Sequence, residues 1–144
     1  MVERIVLQNF VPARVHVRDP NAAESAKRFG LEWTPTTVVL DPDGVERHRV
    51  EGFLPPAEFA PQLLLGIAHG ARLAANWDEA QRWYGEVLEK FAESEAAPEA
   101  LYWQGVARYK AGDAGALAAT GEEFSRRYQA TNWAKKASVW RKAG

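Results

Sequence analysis

Phe29-Gly30-Leu31-Glu32-Trp33-Thr34-Pro35-Thr36-Thr37-Val38-Val39-Leu40-Asp41-Pro42-Asp43-Gly44 carries the end of a helix, a loop, a strand and a turn in one short stretch. Thr36–Leu40 is a β-branched run long enough for a buried strand. Asp41-Pro42-Asp43-Gly44 reads as a turn, because Pro42 presets φ at the first corner and Gly44 can take the positive φ that closes it. Arg47–Glu51 follows as the returning antiparallel strand. Working backwards, Gly30 reads as the C-cap of a helix opened by Asp19-Pro20-Asn21, with Ala23, Ala26 and Phe29 on one face. Further upstream, Arg14-Val15-His16-Val17-Arg18 alternates polar and apolar residues as a strand does. The crossover rule then predicts that the strands at 14–18 and 36–40 are parallel, with the helix on one face.

From Pro56 onward the pattern is helical. Leu63, Leu64, Ile67, Ala68, Ala71 and Ala75 form one stripe. Asn76 and Glu79 stand where a capping box would start the next helix, whose stripe is Ala80, Trp83, Tyr84, Val87, Leu88 and Phe91. Ser94 is the expected cap of a third helix that tolerates Pro98 in its first turn and carries Leu101, Tyr102, Gly105, Val106 and Tyr109. Gly112-Asp113 ends it and starts another, with Leu117, Phe124 and Tyr128. Trp133, Ala137 and Trp140 share one face of the last segment. Five of the six tryptophans follow residue 76, so the two halves are built differently. A loose internal repeat runs through the helical half. Gly66 and Gly105 are followed in order by an Asn or Gly turn, a small residue and an aromatic. The reading divides the chain at residues 1–57 and 58–144.

The segment Phe29–Gly44, followed by His48-Arg49-Val50-Glu51-Gly52-Phe53, resembles the second half of a thioredoxin domain. The match covers roughly residues 5 to 65. On that resemblance Pro35 is the family's cis-proline, Thr34 the residue before it, and Gly52 the glycine after the last strand. The cis-proline loop is implied as a peptide-binding edge, since in that family its backbone presents hydrogen-bonding groups to an extended chain. The helical remainder, including Ser94 and Ala100-Leu101-Tyr102-Trp103 with Gly105, is similar to tetratricopeptide-type repeats. The fold class expected is therefore α/β plus all-α: an incomplete thioredoxin-like βαββα unit followed by tetratricopeptide-like helical hairpins.

The departure from the family decides the chemistry. The resemblance begins near the end of the helix that should carry Cys-x-x-Cys, around Val2–Phe10, and the central strand before it has no counterpart. The chain contains no cysteine. A thiolate is the nucleophile of disulfide exchange, and no other side chain replaces it. Without the central strand, the strands matching residues 13–17 and 36–41 would have unpaired edges. Three remedies follow as alternatives: the two strands pair directly, residues 4–10 fill the space, or a second copy supplies the cover. A homodimer is the favoured expectation.

Other chemistry is weakly represented. His16 and His48 sit on expected strands and His69 on a helix, without zinc-ligand spacing, so each reads as a solvent-edge or hydrogen-bonded imidazole. Glu86, Glu89, Glu93, Glu95 and Glu99 read as a solvated helix face. There is no phosphate-binding glycine loop, and Gly66, Gly70 and Gly85 are spaced for helix contact. Arg126, Arg127, Lys135, Lys136, Arg141 and Lys142 form a basic stretch with Trp133 and Trp140. Because those tryptophans share a face with Ala137, they are expected to pack inward, and nucleic acid is disfavoured as a partner. The net charge of −1 supplies no field toward nucleic acid or anionic membrane. No apolar run is long enough to span a bilayer, and the segment after Met1 is too short for a secretory signal, so a cytoplasmic location is expected. No cofactor or metal is expected.

The function read from the sequence is a non-enzymatic, redox-inactive protein-interaction module. Its expected contacts are Trp33, Thr34 and Pro35 in the loop and Tyr102 and Tyr109 in a helical groove, although aromatics of this kind are more often core than contact. The competing reading is the C-terminal part of a thiol–disulfide oxidoreductase whose Cys-x-x-Cys segment lies upstream.

Overall fold

The computed structural model describes residues 1–141, and Lys142 of the basic stretch lies outside them. Helix α1 (Val2–Asn9) and helix α2 (Ala22–Phe29) precede strands β1 (Thr36–Leu40) and β2 (Glu46–Glu51). Helices α3 (Pro56–Leu73), α4 (Trp77–Lys90), α5 (Ala96–Lys110), α6 (Ala116–Arg126) and α7 (Asn132–Ala137) follow, with a short 3-10 turn at Ser138–Trp140. The architecture is a mixed α/β unit with a two-stranded sheet, continued by helices.

The hairpin forms as its residues dictate. β1 and β2 are antiparallel, with Thr36 opposite Glu51 and Val39 opposite His48. Gly44 takes φ 80° in the turn. The Asp41 carboxylate accepts from the Asp43 and Val45 backbone N–H groups, both at 2.9 Å. Those bonds and the Arg47 guanidinium hold its carboxyl below the usual carboxylate range. Gly30 closes α2 in the left-handed region, at φ 61°.

The strand expected at 14–18 does not form, and neither does its parallel pairing with 36–40. β1 pairs only with β2. Val15 and Val17 are exposed, and the local bonds there are turn-like: the Asp19 carboxylate accepts from His16 N–H at 2.7 Å. Alternation sets which side chains would share a face, but a strand needs a neighbour to satisfy its backbone groups, and no strand lies beside this one. Helix α2 accordingly has no helix or strand backbone close beside it among the described residues, and the Arg49 guanidinium of β2 ties its last turn to the hairpin. Its half-buried positions are Ala22, Ser25, Ala26 and Phe29, whereas Ala23, expected on that face, points to solvent. Residues 4–10 do not bridge the gap either, since 2–9 are helical and α1 packs on α3.

Helix α3 is central. It packs against α1, both strands, α4 and α5, so it is buried nearly all round rather than along one stripe. Ala60, Leu65, Gly66 and His69 join Leu63, Leu64 and Ala68 in the interior, while Ala75 lies beyond the helix with φ 58°. Gly66 meets a strand and not a helix: a Cβ there would stand 2.8 Å from Val39 Cγ2. The main core joins Leu64, Leu65 and Ala68 to Ala80, Tyr84, Val87 and Ala100. A second cluster holds Leu101, Phe124 and Ala137, with Tyr102, Trp133 and Trp140 packed on it. Trp133 and Trp140 thus pack inward, although the helix stops at Ala137 and the 3-10 turn carries Trp140.

Two expected caps do not form, and one of them is replaced. Asn76 stands at the N-cap of α4 without a side-chain bond to it. Ser94 gives its hydroxyl to the Phe91 carbonyl at 2.7 Å, and α5 begins at Ala96. The acceptor at that end is the Glu58 carboxylate of α3, which receives the Glu95 N–H at 3.0 Å. An anion at a helix N-terminus does the work of a cap wherever in the chain it comes from. No helix of the described residues is long and apolar enough to cross a membrane.

Candidate functional site

The loop between α2 and β1 enters the sheet through a cis peptide bond, Thr34–Pro35. The Gly52 N–H donates to the Pro35 carbonyl at 2.7 Å, which closes the open end of the hairpin. Backbone groups alternate along an antiparallel pair, so from this bond Thr37 and Val39 face β2. Thr36 and Val38 then turn their N–H and C=O groups to the free edge of β1. That edge is uncharged and β-branched, and no strand among the described residues covers it.

Two large aromatics stand at this end of the hairpin. Trp33 is 69% exposed and Phe53 78% exposed. The Trp33 backbone is fixed, because its carbonyl accepts the Thr36 hydroxyl at 2.8 Å. Beside the loop runs a groove of about 300 Å³ lined by Val15, Val17, Ala26, Leu31, Trp33 and Thr34. The groove lies where the 14–18 segment fails to join the sheet. Arg49 holds the loop's approach, donating to the Phe29 and Gly30 carbonyls and pairing with Glu46 at 2.6 Å.

Trp33, Thr34 and Pro35 are adjacent on the loop, with Trp33 and Thr34 lining the groove and Pro35 entering the sheet. Tyr102 and Tyr109 lie on α5 and do not line this groove. Tyr102 is half-buried and stacks on Trp140 with ring centroids 4.5 Å apart, whereas Tyr109 is exposed near the end of the helix.

A second polar arrangement was missed by sequence reasoning. His69 of α3 is buried, with its Nδ1 2.6 Å from the Tyr84 hydroxyl of α4 and its Nε2 3.6 Å from a Glu99 carboxylate oxygen of α5. Arg72 Nε donates to the same hydroxyl at 3.1 Å and its guanidinium lies 3.8 Å from the centre of the Trp103 ring. Glu99 therefore does not belong to the solvated face assigned to it. Burial pushes the Tyr84 phenol up and the His69 imidazole down, with Glu99 opposing the latter shift. The one signal available was His69 standing a turn after Leu65 and a turn before Arg72, in a stretch of α3 that is apolar from Leu63 to Ala68.

Set beside known families, the hairpin, the cis-proline loop and the helices flanking them have a counterpart. Residues 3–66 match the family model described as a thioredoxin-like domain. The matched stretch runs from α1 into α3 and includes the whole of the exposed loop and free edge. No curated protein and no solved structure matches the chain. The matched residues contain no cysteine, so neither a thiolate nucleophile nor a disulfide is available to them. What the unit presents is backbone hydrogen-bonding capacity beside two exposed aromatics.

Proposed function

We propose that this chain is a non-enzymatic, redox-inactive protein-interaction module of the cytoplasm that holds an extended segment of a partner protein along the free edge of β1. The observation that carries this reading is the exposed Trp33 and Phe53 beside an uncovered strand edge and an apolar groove. Edge backbone groups supply affinity in strand addition, and pockets for alternate side chains supply selectivity. The helices after α3, with tetratricopeptide-like character, serve as support and as a further surface through Tyr102 and Tyr109. A homodimer formed across the same edge is the self-directed form of this contact.

Selection from a displayed library of extended peptides, followed by titration of the chosen peptide, tests the reading. Amide shifts are expected to concentrate at residues 33–40. The Trp33→Ala variant is expected to weaken binding at least about tenfold, as for a central aromatic anchor. Shifts lying elsewhere, with affinity unmoved by the substitution, would count against it. Sedimentation of the free chain separates self-association from partner binding. In an insulin-reduction assay the chain is expected to give no turnover above buffer, and measurable reduction would overturn the redox assignment.

A second reading is favoured by the unpaired alternating segment at 14–18. In it the chain is the C-terminal part of a thiol–disulfide oxidoreductase, and an upstream strand followed by Cys-x-x-Cys fills the space beside β1. The reading frame ahead of Met1 decides: an in-frame strand and cysteine pair would support it, and their absence would remove it.

A further inference from the structure

We infer that the His69–Tyr84–Glu99 relay is an acid-sensitive latch between α3, which carries the hairpin, and helices α4 and α5: closed while His69 is neutral and loosened when it takes a proton. The direction of the hydrogen bonds carries the inference. A guanidinium can only donate, so the Tyr84 oxygen accepts from Arg72 Nε. The Tyr84 hydroxyl hydrogen is then free to point at His69 Nδ1, 2.6 Å away. His69 Nδ1 accepts, its Nε2 carries the hydrogen, and that hydrogen faces Glu99 at 3.6 Å. In this arrangement the Tyr84 hydroxyl both accepts and donates, and His69 Nδ1 has its donor.

A proton added at Nδ1 breaks the arrangement. Two donors would converge on the Tyr84 oxygen, and the phenol hydrogen would lose its buried acceptor. A buried polar group left without a partner costs more than the bond it lost was worth.

The charges around the ring also oppose the proton. Arg72 is fixed over Trp103 on the same helix. From β2, the His48 ring stands 5.3 Å from that of His69, held there by Gln62 at 2.7 Å. Arg47, also on β2, passes beside Gly70 and is already neutralised by Asp41 at 2.8 Å. Tyr84 of α4 stays neutral, since burial raises its phenol. Glu99 of α5 alone favours the charged ring, from a distance long for a hydrogen bond. β1 carries no titratable group, and α1 reaches this core through Ile5. With 5% of its surface exposed, His69 cannot recover the lost hydration without opening the junction.

The sign follows from linkage. Burial holds the His69 imidazole below its ordinary value of 6.5, so below that pH the opened form binds a proton that the closed form does not. The junction is fully closed above that value and is lost progressively as pH falls toward the folded imidazole's own value.

Hydrogen exchange of the α4 and β2 amides in the full chain, corrected for intrinsic rates and compared at about pH 7.5 and about pH 5.5, reads the latch. The opening constant is expected to rise by up to about tenfold per pH unit below the unfolded imidazole value. His69→Gln, which cannot take the proton, is expected to remove that slope, and His16→Gln to keep it. A direct titration of the His69 ring carbons in the unaltered chain decides the matter even if the variant does not fold. Titration at or above the ordinary imidazole value, or an unchanged slope in His69→Gln, would overturn the latch. Neither outcome bears on peptide binding at β1.

Discussion

Tyr84→Ala is expected to cost about 4 kcal/mol, in the range for emptying an aromatic site in a packed core. Tyr84 is fully buried, and it packs with Leu65, Val87 and Ala100 where α3, α4 and α5 meet. Against a typical total stability of about 5–15 kcal/mol, that loss leaves a marginal fold. The substitution also removes the hydroxyl that Arg72 and His69 share. Tyr84→Phe separates the two contributions. It keeps the ring and removes only the oxygen, so it is expected to cost about 1–3 kcal/mol, the penalty for the polar partners it strands. Urea unfolding with a common m-value measures both. Equal losses for the two variants would mean that the packing of the ring contributes little, contrary to its burial.

Gly105→Ala is the other substitution expected to be severe, and here two effects compete. Alanine in place of glycine inside a helix favours folding by about 1 kcal/mol. A Cβ on Gly105, however, would stand 2.9 Å from both Cβ and Cγ2 of Thr120 and closer still to its Oγ1. Thr120 is buried and its hydroxyl is committed to the Ala116 carbonyl at 2.8 Å, so it cannot swing aside. Overpacking of this kind costs about 3 kcal/mol at its upper range, which leaves a net loss of about 2 kcal/mol. Pairing it with Thr120→Ala should recover part of that loss, because Oγ1 and Cγ2 are then gone. Calorimetry of the single and double variants gives the coupling, and strictly additive losses would place the strain elsewhere.

The parts of the fold legible in the sequence are those whose causes are local. Asp41-Pro42-Asp43-Gly44 makes its turn with bonds among its own residues, and Thr36–Leu40 finds its partner a few residues away. The cis-proline loop was legible for the same reason, since Trp33, Thr34 and Pro35 are adjacent in the chain. Trp133 and Trp140 pack inward as expected, although Trp140 does so from the 3-10 turn after α7 and not from the same helix. The expected strand at 14–18 did not, because alternation describes one chain while a ladder requires two. Glu99 looked like its neighbours Glu93 and Glu95, yet only Glu99 is brought against a buried imidazole by α3. Ser94 had the right chemistry for a cap, but Glu58 reaches the start of α5 instead.

What the amino-acid order determined by itself is the hairpin, the helical second half and the exclusion of thiol chemistry, because turn geometry, periodicity and the absence of sulfur need no distant partner. What only the tertiary structure decided is which polar groups become buried together and which strand edge stays open. Those depend on where α3 lies between the hairpin and α4–α5, and a residue's solvation is a property of its neighbours in space.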